Sequence, residues 1–193
     1  DALPISLGYY GLLISTANQA SGGSTTANLV DLDTTVRSSG ITNSSGAITI
    51  ANTGTYSVIS DLAFTNSTGS NVTVHVWMTL NGVDVPNTTQ SIQFTGGAGN
   101  AQWITCAWTL GITAGDVVRF YWSSPATTVS LIYTGAGTSP TRPASSSAAI
   151  NIAQIMNNQI GPTGPTGSAS TVAGPTGPTG ATGAASTVAG PTG

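Results

Sequence analysis

The chain has no lysine and no glutamate, and only three arginines, Arg37, Arg119 and Arg142, stand against six aspartates. Charged residues make up 5 % of the 193, where about a quarter is usual, so hydroxyls, amides and glycine must build the surface. Clustered cations, which displace counterions from phosphates, are missing. That excludes nucleic acid as a partner and polybasic docking on an anionic membrane. A single cysteine, Cys106, leaves no intrachain disulfide, so stability must come from burial. It sits in an apolar alternation, where it reads as a small core residue rather than a reactive thiol. No apolar run approaches the ~20 residues that cross a bilayer as a helix. The one histidine, His75, lies on the polar side of a predicted strand with Thr73 and Thr79. No second histidine makes a metal pair, no acid, base and nucleophile set assembles, and no Gly-x-Ser-x-Gly elbow occurs, so the sequence points to neither an enzyme nor a cofactor.

What is present favours strands: threonine, valine and glycine abound while good helix formers are scarce. The run Gly8 to Thr16 (GYYGLLIST) predicts a buried first strand. In Leu29 to Val36, Val30, Leu32 and Val36 alternate with Asp31 and Asp33. Ser38 to Gly46 reads as turns, and Ala47 to Ala51 as a short strand. From Gly54, Tyr56, Val58, Leu62 and Phe64 share one face while Ser57, Asp61 and Thr65 take the other. Val72, Val74, Val76, Met78 and Leu80 keep a period of two up to Asn81-Gly82, a strong hairpin signal with a returning strand after it. Further strands are predicted at Gln90 to Thr95, at Gln102 to Leu110 with Ile104, Cys106, Trp108 and Leu110 inward, at Val117 to Trp122 and at Val129 to Thr134. About ten short strands without a helix predict an all-β sandwich or jelly roll. In Ser145 to Ile160, Ile150 and Ile152 suit a closing strand, whereas Ile152, Ile155, Met156 and Ile160 suit a neck between chains.

The last thirty-three residues repeat Gly-Pro-Thr, interrupted by SASTVA and AASTVA, with glycine at 161, 164, 167, 174, 177, 180, 183, 190 and 193 among the triplet positions. Glycine at every third place is what three polyproline II chains need along a shared axis. The triplet runs are too short to hold a triple helix alone, so either something trimerises the segment from outside or more triplets follow Gly193. The alternative is a flexible Pro/Gly/Ser-rich linker. The chain therefore divides into a β domain at 1–155, a neck at 156–160 and a collagen-like tail at 161–193.

Three landmarks occur in order: Gly54-Thr55-Tyr56 opening a long strand, Asn81-Gly82 in a hairpin, and Ala114-Gly115-Asp116 before Val117 and Val118. Over roughly residues 5–155 they resemble the C1q/TNF-like jelly roll, particularly its versions in phage fibres and bacterial collagen-like surface proteins. The resemblance implies an antiparallel jelly-roll sandwich and a homotrimer. Two departures stand out: SSSAAINIAQI replaces the aromatic-glycine signature that closes the C1q fold, and the globular part precedes the collagen-like part. The expectation is a structural, non-enzymatic fibre protein whose head gathers three tails, most readily a virion appendage contacting capsid or tail proteins. A bacterial surface-layer or spore-coat filament has the same build, and a carbohydrate-binding adhesin is the third reading.

Candidate surface residues are Tyr9, Tyr10, Trp77, Trp103 and Trp122, whose rings suit either a trimer interface or stacking against sugars. Asp31 and Asp33 could contribute to a calcium site; as a solvated acidic edge they would instead discourage sheet pairing. Asn43, Asn66, Asn71 and Asn87 begin Asn-x-Ser/Thr sequons.

Overall fold

The computed structural model describes residues 8–23, 26–156 and, within the tail, 174, 176–185, 187 and 190. The chain divides into two units, Asp1–Gln159 and Ile160–Gly193. In chain order the strands are β1 (Tyr10–Ser15), β2 (Gln19–Ala20), β3 (Asn28–Leu29), β4 (Thr34–Ser39), β5 (Ile41–Ser44), β6 (Ala47–Ile50), β7 (Gly54–Asn66) and β8 (Val72–Leu80). There follow β9 (Val83–Asp84), β10 (Gln90–Phe94), β11 (Ala101–Ile112), β12 (Val117–Ser123), β13 (Val129–Leu131), β14 (Gly137–Thr138), β15 (Thr141–Arg142) and β16 (Ala148–Met156). No helix forms among the described residues. The number exceeds the expected ten because β2, β3, β9, β14 and β15 are two-residue pairings, and because β5 lies inside the stretch read as turns.

Every pairing is antiparallel, and two seven-stranded sheets face each other as a jelly-roll sandwich. The first runs β2-β13-β7-β16-β1-β4, with β11 also on β7. β7 is its hub: β11 follows it from Gly54 to Thr65, so β16 (opposite Thr55 to Leu62) and β13 (opposite Phe64 to Asn66) must share the other edge. The second sheet runs β10-β8-β12-β6-β5, with β3 on β12 and β9 on β8.

The period-two pattern decides what lies between the sheets. Leu13, Tyr56, Val58, Leu62, Phe64, Ile150 and Ile152 meet Ile48, Ile50, Val74, Val76, Met78, Val118, Phe120 and Trp122, all at most 1 % exposed. Phe64 and Trp122 touch edge to face across the gap, with centroids 5.2 Å apart, a favoured aromatic geometry. The SSSAAINIAQI segment provides β16, and its Ala148, Ile150 and Ile152 alternate inward. Ile152 therefore belongs to the core and does not line a neck; residues 157–160 lie outside the described ones.

Two tight hairpins fix register. Leu80 pairs with Val83 around Asn81-Gly82, and Ser44 with Ala47 around Ser45-Gly46. Both central residues have positive φ in each turn (53° and 81°, 47° and 81°), the type I′ geometry that matches strand twist.

The stretch 29–36 departs from the predicted single strand. Val30 and Leu32 are buried as expected, but Val36 is 51 % exposed. Side chains interrupt the alternation: the Gln19 amide donates to the Asp31 carbonyl (2.8 Å) and accepts from the Asp31 N–H (2.9 Å), standing in for a strand neighbour. The Asp33 carboxylate accepts from the Thr16 N–H at 2.8 Å. Regular pairing resumes only at Thr34, against a β1 whose register shifts between Leu12 and Leu13.

Candidate functional site

Strand parity puts one set of β1, β16, β7 and β11 side chains in the core and the other on the outer face of the first sheet. Cross-strand register arranges that outer face in rows. Tyr10, Ala153, Ser57 and Thr109 form one; Leu12, Asn151, Ile59 and Ala107 the next; Ile14, Ala149, Asp61 and Thr105 the third. Ala63 and Trp103 extend the face beyond Asp61 and Thr105. At the β4 edge, Ser39 stands opposite Tyr10 and Arg37 opposite Leu12. The face is thus made of three large aliphatics, small residues and two rings, and within these rows Arg37 and Asp61 are the only ionisable groups apart from Tyr10.

Leu12, Ile14 and Ile59 are only half-buried, and Tyr10 and Trp103 are 38 % and 59 % exposed. The Thr105 hydroxyl donates to Asp61. Directly behind, Cys106 points into the protein; burial pushes its thiol above the ordinary value, the Ser60 hydroxyl pulls it part of the way back, and the Asp61 charge adds a smaller upward push. It is therefore a protonated structural thiol at neutral pH.

The sequence candidates fall in different places. Tyr10 and Trp103 lie on this face. Tyr9 is half-buried and packs against the core. Trp77 lies on the outer face of the second sheet, stacked on Tyr121 at 6.0 Å and 21°, with its indole N–H donating to Asp84 at 3.0 Å. Trp122 is a correction: at 0 % exposure it can line no surface, because it shares inward parity with Val118 and Phe120. Leu12, Ile14 and Ile59 were missed. For Leu12 and Ile14 the signal was the apolar run at 8–16, since a strand apolar on both sides has two faces to cover; Ile59 stands apolar on the face that Ser57, Asp61 and Thr65 otherwise make polar.

Asp31 and Asp33 do not converge on a cation site. Asp33 already accepts from Thr16 and Thr34, and no group of three or more His, Cys, Asp or Glu side chains suited to a metal occurs among the described residues. His75 Nδ1 is 2.7 Å from the Ser91 hydroxyl. Of the sequon asparagines, Asn66 is buried and Asn43 is held by Leu32 and Gly46, whereas Asn71 and Asn87 are exposed. In the tail, a Cβ at Gly174, Gly177, Gly180, Gly183 or Gly190 would meet nothing within 4 Å. Gly161, Gly164, Gly167 and Gly193 lie outside the described residues.

Asp116 ties two turns together. The Asn81 side-chain Nδ2 donates to its Oδ1 (2.8 Å) and the Thr113 N–H to its Oδ2 (2.7 Å), while the Asn81 side-chain Oδ1 accepts from the Val117 N–H at 2.8 Å. Those bonds, Asn81 first, hold the Asp116 carboxyl below its ordinary value despite a little burial. Asp33 is also lowered: burial raises it, but hydrogen bonds from Thr16 and Thr34 together outweigh that. A depressed carboxyl contributes stability that is present above its unfolded pKa, about 3.9, and is lost as pH falls through the folded value. Urea denaturation should therefore show lower stability at pH 3 than at pH 7, with a smaller difference in Asp116→Asn.

No family model matches the sequence, and no curated protein matches it. Among solved structures, the chain is similar to the globular domain of zebrafish complement 1qA protein, at 13 % identity and a TM-score of 0.48, covering 78 % of this chain and 99 % of that one. It is also similar to murine APRIL, at 11 % identity and a TM-score of 0.49, covering 77 % and 99 % respectively.

Proposed function

We propose that this chain is a structural, non-enzymatic fibre subunit in which three copies associate through the outer face of the first sheet and bring their glycine-repeat tails together. The observation that carries the reading is the face itself: Leu12, Ile14 and Ile59 among alanines and hydroxyls, nearly uncharged, the composition of an interface core rather than of a solvated sheet. β16 lies between β1 and β7 in that sheet, so association through this face gathers the three β16 strands, from which the tails follow in sequence. Three tethered tails then share an effective concentration of order millimolar, which offsets the ordering entropy of short triplet runs. The tail glycines fit this role. Gly177, Gly180 and Gly183 have neither positive φ nor a close neighbour in their own chain, so their own chain does not require glycine, whereas a triple-helix axis does. Thirty-three residues in polyproline II would reach roughly 100 Å.

Sedimentation equilibrium on the full chain should give three times the 19.1 kDa chain mass. Ile59→Arg should give a folded monomer, because the new guanidinium stays solvated in the monomer but would be buried unpaired in the trimer. Such a charge costs several kcal/mol, at least a ~100-fold rise in the dissociation constant. A wild-type chain that stays at one chain mass at every concentration overturns the reading.

The context we infer is a virion appendage, with a bacterial surface or spore-coat filament as the alternative; immunogold labelling of native particles separates the two. The adhesin reading draws on the Trp77–Tyr121 stack, whose flat surface suits a sugar ring. Glycan-array binding lost in Trp77→Ala with the trimer intact would favour it.

A further inference from the structure

The two opposite charges of the association face lie on different halves of it. Arg37 is on the edge strand β4 and Asp61 on β7, with β1 and β16 between them. At about 4.8 Å per strand they are some 14 Å apart across the sheet, and their rows differ. They do not meet within one chain. Each nevertheless stands in a face otherwise suited to burial, and covering that face takes both out of water. A buried charge without a partner is strongly unfavourable, so an interface built on this face needs a counter-charge for each. The face offers one of each sign.

Symmetry says how they can meet. A closed ring of three is head to tail, so one patch of each copy contacts a different patch of the next. The β4–β1 half of one face then meets the β7–β11 half of its neighbour, which brings a cation against an anion. Both ends are shaped for it. Arg37 lines an open groove of about 250 Å³ with Tyr10, Gly11, Leu12 and Asn151. Asp61 is exposed and held upright by the Thr105 hydroxyl.

We propose that the groove beside Arg37 receives Asp61 of a second copy of this chain, so that each subunit gives a cation to one neighbour and an anion to the other. The inference rests on the association-face reading and adds to it a register. Contacts among alanines and short aliphatics carry little directional information, whereas one desolvated, directional charge pair per interface fixes the offset and the handedness of the ring.

The test is a charge-reversal cycle on the full chain, followed by sedimentation equilibrium, with thermal melting as the control that each variant folds. Arg37→Asp and Asp61→Arg should each raise the trimer dissociation constant at least ~30-fold, and the double reversal should return it to within ~3-fold of wild type. A trimeric wild type whose single reversals leave association unchanged, or whose double reversal is no better than the worse single, overturns the charge pair and leaves the association face standing. A wild type that never associates overturns the face and the pair together.

Discussion

Trp122→Ala should lower the unfolding free energy by about 3–5 kcal/mol, whereas Trp103→Ala should move it by less than ~1 kcal/mol. The two tryptophans differ by strand parity, not by sequence surroundings. Trp122 is 0 % exposed and Trp103 59 %. Truncating the first opens a cavity against Phe64, its edge-to-face partner 5.2 Å away, between two sheets whose other residues are already close-packed. Truncating the second removes a ring standing mostly in water. Urea denaturation in the Ile59→Arg background keeps association out of the measured free energy. Trp122→Phe, which retains much of the ring volume, should recover most of the loss. Equal losses for the two alanine variants would mean the assignment of core and surface faces is wrong.

Gly46→Ala should cost at least ~3 kcal/mol, and Gly82→Ala only ~1–2 kcal/mol. Both glycines sit at φ 81° in type I′ hairpins, so both substitutions carry the same left-handed penalty. Their surroundings separate them. A Cβ at Gly82 meets nothing within 4 Å, whereas one at Gly46 overlaps the backbone carbonyl oxygen of Val30. That carbonyl cannot simply retreat. Val30 donates its N–H to Phe120 at 2.9 Å, Asn43 holds the Leu32 carbonyl at 2.7 Å, and Val30 and Leu32 are each 1 % exposed. Thermal melting of the two variants side by side, again in the monomeric background, gives the comparison; equal shifts would show that the 30–32 segment yields freely.

Much of this architecture is legible where alternation is long and unbroken. The parity of Val72 to Met78, the Asn81-Gly82 turn and the split of Tyr56 to Thr65 into two faces follow from local pattern alone, and the structure shows each of them; at the end of that strand Thr79 is buried and Leu80 only partly so. Legibility fails where side chains replace backbone as pairing partners. Gln19 and Asp33 interrupt the 29–36 alternation through contacts 12 and 17 residues away in sequence, which no local pattern announces. β5 was hidden because Ser45-Gly46 is a weaker turn signal than Asn-Gly, though it closes the same geometry. Trp122 was misplaced although Val118 and Phe120 carried the correct parity. For the proposed association face, the aromatic residues drew notice while the aliphatics between them, Leu12, Ile14 and Ile59, define it.

β16, the strand that leads into the tail, is hydrogen-bonded along both edges, to β1 from Tyr10 to Ser15 and to β7 from Thr55 to Leu62. A pull applied along the axis of β16 would therefore load two ladders at once in shear, the bonds sharing the force, instead of peeling an edge strand open one bond at a time. The outermost strands β4 and β5, paired along one side only, lack that protection.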